Sequence, residues 1–156
     1  MTTLKLSLVL VALALCTSPG AAVAQSGPST GVGVQLGSPT GVSVRVVRDA
    51  EPHYDFLAAW DFDDFLFLNA NLVWERKVEE GVEVDLRMFY GPGAGLGLRD
   101  RPGGDDIVLG AGGVIGAALW VESFELFAQL IPQLELVPAT DFVIHGGIGV
   151  RYHFAR

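Results

Sequence analysis

The sequence predicts an all-β fold: a closed, eight-stranded, antiparallel up-and-down transmembrane β-barrel that follows a cleaved signal peptide. Three observations predict it. Apolar residues recur at every second position along most of the chain, clusters of Gly, Pro, Asp and Glu interrupt these runs, and 50% of the 156 residues are hydrophobic although the chain is acidic. A period of two separates the residues of a strand onto two faces, whereas a helix would mix them.

The N-terminal segment is typical of a secretory signal peptide, which we assign to residues 1–24. Lys5 precedes a ten-residue apolar run at 6–15, and the small residues AAVA follow at 21–24. The apolar run is too short to span a bilayer. A retained membrane anchor and lipidation at Cys16 are the alternatives. Cleavage after the AAVA segment leaves a mature chain without cysteine, and therefore without disulfides.

The charge balance argues against two classes of function. Removal of Lys5 with the signal leaves 9 basic residues against 18 acidic ones, a formal net charge of −9. Nucleic-acid binding requires a basic face, and a helix that lies on anionic lipid is usually basic as well. A mean hydropathy of +0.41 is high for an acidic chain of this size and indicates apolar residues on the outer surface.

The mature chain begins with a flexible lead-in at 25–30, and the predicted barrel occupies residues 31–154. Turn-forming clusters divide the barrel into eight strands of roughly ten residues, the length that crosses a bilayer as a tilted strand. These clusters lie at 37–41, 49–52, 62–64, 78–81, 99–106, 121–123 and 137–141.

Within these strands the apolar positions alternate with polar residues or glycine. In chain order, the apolar face comprises Val42, Val44 and Val46; Tyr54, Phe56, Ala58 and Trp60; Leu68, Ala70, Leu72 and Trp74; Tyr90, Pro92, Ala94, Leu96 and Leu98; Ile107, Leu109, Ala111, Ile115, Ala117 and Leu119; Leu126, Ala128, Leu130, Pro132, Leu134 and Leu136; and Phe142, Ile144, Ile148, Val150, Tyr152 and Phe154. Its aromatic residues are expected to form girdles at the two membrane interfaces.

The sixth strand is the least regular element. Residues 107–121 carry no charge, but they are fewer than the roughly 20 that a transmembrane helix needs, and they are rich in glycine. We therefore predict a strand, in which Trp120 falls on the glycine side. The glycines at 110, 112, 113 and 116 approach a dinucleotide-binding fingerprint, but their spacing is wrong and the strand–turn–helix context is absent.

The polar face is too small and too poor in charge to be a water-facing surface, since Lys77 is the only lysine after the signal. It is therefore predicted to face the lumen, where both charge signs can pair. The predicted lumen network comprises Arg45, Asp55, Asn69, Asn71, Glu75, Asp85, Arg87, Gln129, Gln133, His145 and Arg151.

Four lumen glycines in the fifth strand, Gly91, Gly93, Gly95 and Gly97, are expected to leave room for side chains from opposite strands, such as Arg45 or Arg151. Eight strands enclose just enough space for their own side chains, so no open pore is expected.

Five segments resemble small bacterial outer-membrane β-barrels of unknown activity, similar in architecture to OmpX and the membrane domain of OmpA. They are GVQLGSPTGVSVR (33–45), LNANLVWE (68–75), FYGPGAGL (89–96), LFAQLIPQLEL (126–136) and GGIGVRYHF (146–154). The resemblance implies an outer-membrane location. It also implies that Tyr152 and Phe154 form the C-terminal signal read by the outer-membrane assembly machinery. The other implied partners are outer-membrane lipid and lipopolysaccharide.

No catalytic, metal or cofactor site is predicted. His145 and His153 share a face but lie roughly 26 Å apart at strand rise, and no serine has a recognisable motif partner. The carboxylates of 61–64 and of 105–106 could hold a divalent cation between lipopolysaccharide phosphates, although solvated turn charges are the simpler interpretation.

Three functions stay open. The first is a barrel with a structural or envelope-integrity role and without catalysis. The second is a periplasmic or secreted lipocalin-like barrel that binds an apolar ligand, and the third is an outer-membrane lipid-modifying enzyme. Outward-facing Val42, Leu72, Leu130 and Val150 would favour the membrane barrel. The same residues facing inward would favour the ligand-binding barrel.

Overall fold

The computed structural model describes residues 27–61, 65–78, 85–101 and 104–155, and confirms the predicted closed barrel. Each strand pairs antiparallel with the next, and β8 closes the barrel against β1. The strands are β1 (Ser29–Ser38), β2 (Gly41–Val47), β3 (His53–Asp61), β4 (Phe65–Lys77), β5 (Asp85–Arg101), β6 (Gly104–Val121), β7 (Phe124–Val137) and β8 (Asp141–Ala155). The predicted signal peptide lies outside the described residues. Among the described residues, no helix is long and apolar enough to cross a bilayer.

The strands differ in length more than the sequence predicts. β2 has 7 residues, whereas β6 has 18. The predicted turn at 99–106 is mostly strand, because β5 and β6 stay paired as far as Arg101 and Gly104. The predicted lead-in is also shorter, because β1 begins at Ser29, which pairs with Ala155 of β8.

The strand register places the apolar face outside. Leu72, Leu130 and Ile148 are 39%, 55% and 65% exposed. Val42 and Val150 share that face, and both pair with Val34, which is half exposed. Among the described strand side chains, the outward face carries one charged residue, Arg76, near the end of β4. This distribution is the reverse of that in a soluble barrel, where the apolar face is buried.

Glycine is concentrated on the inward face, where neighbouring strands approach closely. A Cβ at Gly33, Gly112 or Gly149 would overlap a backbone carbonyl oxygen of the adjacent strand. Backbone can approach this closely only where no side chain stands between the strands. The inward glycines therefore allow a small barrel to curve tightly.

The outward aromatic residues are distributed unevenly, which differs from the prediction of two girdles. One end of the barrel is where β1 begins and β8 ends, and it is here called the termini end. Six outward aromatic residues lie towards it: Tyr54, Trp74, Tyr90, Phe124, Tyr152 and Phe154. Trp60 and Phe142 lie near the opposite end, and Phe56 lies in the middle of β3. The ring centroids of Tyr152 and Phe154 are 4.8 Å apart, and those of Phe124 and Tyr152 are 5.2 Å apart.

Candidate functional site: a buried ionic network in the lumen

Five strands contribute charged side chains to a buried network near the termini end, here called the ionic network. Its members are Arg45 of β2, Asp55 of β3, Glu75 of β4, Glu125 of β7 and Arg151 of β8. The register builds part of it directly, because Arg45 pairs with Asp55 and Glu125 pairs with Arg151 on neighbouring strands. Both arginines and Glu125 are 0% exposed.

Arg45 binds three carboxylates. Its Nη2 lies 2.6 Å from Asp55 Oδ2, and its Nη1 lies 3.0 Å from Glu75 Oε1 and 2.6 Å from Glu125 Oε1. Arg151 donates to Glu125 Oε1 at 2.8 Å, to Asp55 Oδ1 at 3.0 Å and to Ser43 Oγ at 2.7 Å. Such shared contacts are what a buried charge requires to offset its loss of hydration.

An aromatic ring supports each buried guanidinium. Arg45 lies 4.3 Å from the centroid of Phe89, and Arg151 lies 3.7 Å from that of Phe127. Each ring in turn occupies space above an inward glycine, since a Cβ at Gly116 would overlap Phe89 and one at Gly149 would overlap Phe127. The network thus contains two stacks, each made of a glycine, a phenylalanine ring and an arginine. In each stack the guanidinium makes a cation–π contact with the ring.

The arginines do not lie against the glycines that the sequence suggested. Gly91, Gly93, Gly95 and Gly97 alternate with the outward Tyr90, Pro92, Ala94, Leu96 and Leu98, which places them on the inward face. However, Gly93 lies beneath the amide of Asn71, and Gly95 beneath that of Gln133. These amides come from β4 and β7. Arg45 does approach β5, but it lies over Phe89 and not over the glycines.

Asp85 and Arg87 lie at the mouth of the lumen, not inside it. Their side chains are 30% and 31% exposed, and Arg87 Nη2 donates to Asp85 Oδ2 at 2.6 Å. Arg87 Nη1 also reaches Glu75 Oε2 at 3.3 Å, so this pair joins the ionic network to solvent. Trp120 lies on the inward face, as the sequence indicated. Its ring centroid is 5.1 Å from the guanidinium carbon of Arg87.

Sequence reasoning missed Glu125 and His153 as members of the network. His153 Nε2 lies 2.8 Å from Glu125 Oε2, and His153 Nδ1 lies 3.1 Å from Ser29 Oγ. The alternation of faces along a strand could have identified both residues. Glu125 shares a strand face with Gln129, and His153 shares one with Arg151. A further buried serine, Ser43, was also missed; it accepts from Arg151.

Amides fill the half of the lumen away from the termini. Gln35 donates to the Pro39 carbonyl at 3.3 Å and accepts from Gln129 at 2.7 Å. Asn69 donates to the Ala94 carbonyl at 3.1 Å and accepts from Asn71. A carbonyl can only accept, so each chain of amides has a defined direction. In consequence the oxygens of Asn71 and Gln129 stay without a hydrogen-bond partner among the described residues, as does that of Gln133.

Gln133→Leu is expected to leave stability unchanged or to raise the free energy of unfolding by about 1 kcal/mol. Leucine has a similar volume, and the substitution removes a buried oxygen whose missing hydrogen bond costs about 1–3 kcal/mol. Urea unfolding of the purified protein measures the effect. A loss of more than about 1 kcal/mol would show that this oxygen is paired.

The histidines do not form a metal centre among the described residues, which contain no group of three His, Cys, Asp or Glu able to hold a metal ion. His145 is buried against Phe67, with ring centroids 4.5 Å apart. His53 Nδ1 accepts from the Arg48 N–H at 3.2 Å. The side chains of 61–64 and of 105–106, considered above for cation binding, lie outside the described residues.

The rim at the termini end carries two arginines in different surroundings. Arg76 pairs with Glu51 at 2.9 Å. Partial burial acts to raise the pKa of the Glu51 carboxyl, but hydrogen bonds from the Glu75 N–H and from Arg76 outweigh it and hold that pKa below its usual value. Arg48 instead donates to the Tyr54 hydroxyl at 3.0 Å, with its guanidinium 5.2 Å from the ring centroid. Among the described residues it contacts no carboxylate.

Comparison with known proteins gave no assignment: no protein family, no curated protein and no solved structure matches this chain.

Proposed function

We propose that this protein is a small outer-membrane β-barrel with a structural or envelope-integrity role. The observation that carries the proposal is the facing of the strands. The outward side chains of all eight strands are apolar or small except near the strand ends, while the charged side chains of the ionic network are buried inside. A closed barrel also leaves no unpaired edge, which is the condition for crossing lipid with strands.

The facing of four residues supports the membrane barrel over a soluble ligand-binding barrel. Val42, Leu72, Leu130 and Val150 lie on the outward face, whereas an apolar ligand pocket would need them inside. The described lumen is instead filled by the ionic network, its phenylalanine rings and the amides. A lumen packed in this way has a mechanical role as a rigid core.

The predicted export signal and the apolar barrel wall support the proposed location. A cleaved signal at 1–24 would carry the chain through the inner membrane, and Tyr152 and Phe154 would present the assembly machinery with an aromatic last strand. Lipid and lipopolysaccharide would then cover the outward face. The resemblance to small bacterial outer-membrane barrels supports this location.

Cell fractionation with heat-modifiability tests the proposal. The protein is expected in the outer-membrane fraction, with a gel mobility that changes on boiling because the closed barrel resists detergent until it is heated. A soluble protein whose mobility is indifferent to heat would contradict the membrane proposal.

A pair of arginine substitutions sharpens this test. Leu130→Arg places a charge near the middle of β7 and is expected to cost about 2–4 kcal/mol in a bilayer, whereas Val121→Arg at the end of β6 should cost about 0–1 kcal/mol. Both residues are about half exposed, at 55% and 47%. In a water-soluble barrel the two substitutions would have equally small effects.

A further inference from the structure

We propose that Ser29, His153 and Glu125 form a serine-hydrolase site that cleaves carboxylic esters of phosphate-bearing lipids. The three residues come from β1, β8 and β7 and lie at the termini end of the lumen. The site goes beyond the structural role proposed above. Its lipid substrate rests on the proposed membrane location, whereas its capacity to react with an ester does not.

The hydrogen bonds have the order that nucleophile activation requires. Ser29 Oγ lies 3.1 Å from His153 Nδ1, and His153 Nε2 lies 2.8 Å from Glu125 Oε2. Glu125, an ionised acceptor, accepts a hydrogen bond from Nε2–H of the ring, and this tautomer leaves Nδ1 free to accept the serine proton. This is the logic of a serine–histidine–acid triad, with the two ring nitrogens exchanged in role.

The support for His153 is rigid. Glu125 Oε1 accepts from Arg45 at 2.6 Å and from Arg151 at 2.8 Å, which leaves Oε2 for the histidine. The ring centroid of Trp120 lies 4.3 Å from that of His153. On the other side the ring occupies space that a side chain at Gly31 would fill. Glu125 is thus a positioning residue, while Ser29 and His153 would touch the reacting atoms.

The charge of the ionic network suits proton transfer to the ring. Arg45 and Arg151 face three carboxylates, Asp55, Glu75 and Glu125. Arg87, which also contacts Glu75, is itself paired with Asp85, so the group as a whole carries one surplus negative charge. That surplus lies beside the ring that would receive the proton. Negative charge that is fixed beside the ring stabilises the protonated ring without rearrangement of the protein.

A cavity adjoins Ser29, which is itself 4% exposed. A cavity of about 260 Å³ at the termini end is lined by Ser29, Thr30, Val46 and Arg48, among others. Thr30 and Val46 pair with each other on the outward face, so the cavity borders the proposed lipid-facing surface. Its volume is below that of pockets which enclose a drug-sized ligand, so it would hold the ester group while the acyl chain lies along the barrel wall.

Arg48 indicates the chemical class of the substrate. It is an exposed cation at the rim of this cavity, which Asp49 also lines. Its guanidinium donates to the Tyr54 hydroxyl and contacts no carboxylate among the described residues. A guanidinium presents several donors to phosphate oxygens. An acyl ester of a glycerophospholipid fits this combination of an apolar wall, a nucleophile and a cation at the interface.

The reaction balances without a cofactor. Ser29 Oγ forms a bond to the acyl carbon, and its proton passes to His153 Nδ1. The carbon–oxygen bond to the glycerol then breaks, and the departing oxygen takes the proton from His153. Water repeats the sequence on the acyl-serine, so the products are a fatty acid and a lysolipid, with Ser29 regenerated.

Covalent labelling tests the nucleophile. The mature chain, refolded in detergent with barrel closure verified by gel mobility, is treated with a fluorophosphonate probe and digested for mass spectrometry. We expect a single adduct on Ser29, with labelling abolished in Ser29→Ala and reduced at least 100-fold in His153→Gln. Ser38→Ala is the control, because Ser38 lies in the same strand as Ser29 but at the opposite end of the barrel, where it pairs with Gly146; it should be labelled like the parent protein.

Two further measurements address positioning and substrate class. Glu125→Gln is expected to slow labelling and to displace its pH profile to lower pH, because the ring loses the adjacent negative charge; a purely structural role would leave the profile in place. Arg48→Gln should lower the cleavage of dioleoylphosphatidylglycerol in mixed micelles more than the cleavage of p-nitrophenyl butyrate.

The outcomes separate this site from the membrane proposal. A correctly closed barrel that takes no label, or labelling that persists in Ser29→Ala, overturns the hydrolase site and leaves the membrane location untouched. Labelling of Ser29 in a protein that fractionates as soluble would retain the nucleophile and overturn the lipid substrate.

Discussion

Arg45→Leu is expected to lower the free energy of unfolding by about 3–5 kcal/mol. The substitution removes the cation that contacts Asp55, Glu75 and Glu125 and leaves these carboxylates underpaired in a buried site. Arg151 still binds two of them, but it cannot neutralise all three. Urea unfolding, followed by the change in gel mobility of the closed barrel, measures the loss.

Arg76→Leu is the matched control for this prediction. Arg76 also makes an ion pair, at 2.9 Å to Glu51, but its side chain is 61% exposed. Exposed pairs contribute about 0–1 kcal/mol because water solvates both partners when the pair is broken. Comparable losses for the two variants would mean that water reaches the ionic network and that the lumen is not a dry core.

Gly33→Ala is expected to destabilise the barrel by about 3 kcal/mol, at the upper end of the cost of over-packing. Gly33 lies in the seam between β1 and β8, and a Cβ there would overlap the Val150 carbonyl and crowd the Arg151 Cα. These are backbone atoms, so no rotamer change relieves the overlap. The fraction of refolded protein with the mobility of a closed barrel measures the effect.

Gly146→Ala is the control, since Gly146 of β8 lies in the same seam, opposite Ser38 of β1, but faces outward. The nearest atom to its Cβ position is Leu130 Cδ2 at 2.8 Å, the flexible end of an exposed side chain that can move away. We expect a change below about 1 kcal/mol. Equal losses in the two variants would indicate that glycine contributes general backbone flexibility, instead of the close approach of strands at the seam.

Much of the wall could be predicted from the sequence because side-chain alternation is a local property. Parity within a strand places Leu130 and Ile148 outside and Arg45 and Gln129 inside, whichever strands become neighbours. Strand lengths were less predictable. Residues 99–106 have the composition of a turn, yet most of them stay in strand because pairing between β5 and β6 continues to the tip.

The candidate site shows where sequence reasoning stops. Parity could have added Glu125 and His153 to the inward set, but it could not tell which inward residues touch. Ser29 and His153 are 124 positions apart, and the sequence carries no motif that joins them. The glycines of β5 illustrate the same limit, because their inward facing was inferable while the amides that cover two of them were not.

The sequence by itself determined the class of fold and the face that each strand residue occupies, because a period of two and the turn clusters act over a few residues. Only the tertiary structure decided that Arg45 binds carboxylates from three other strands and that Ser29, His153 and Glu125 meet at the termini end. Those contacts depend on how the strands are staggered when β8 pairs with β1, and that stagger belongs to the closed barrel as a whole.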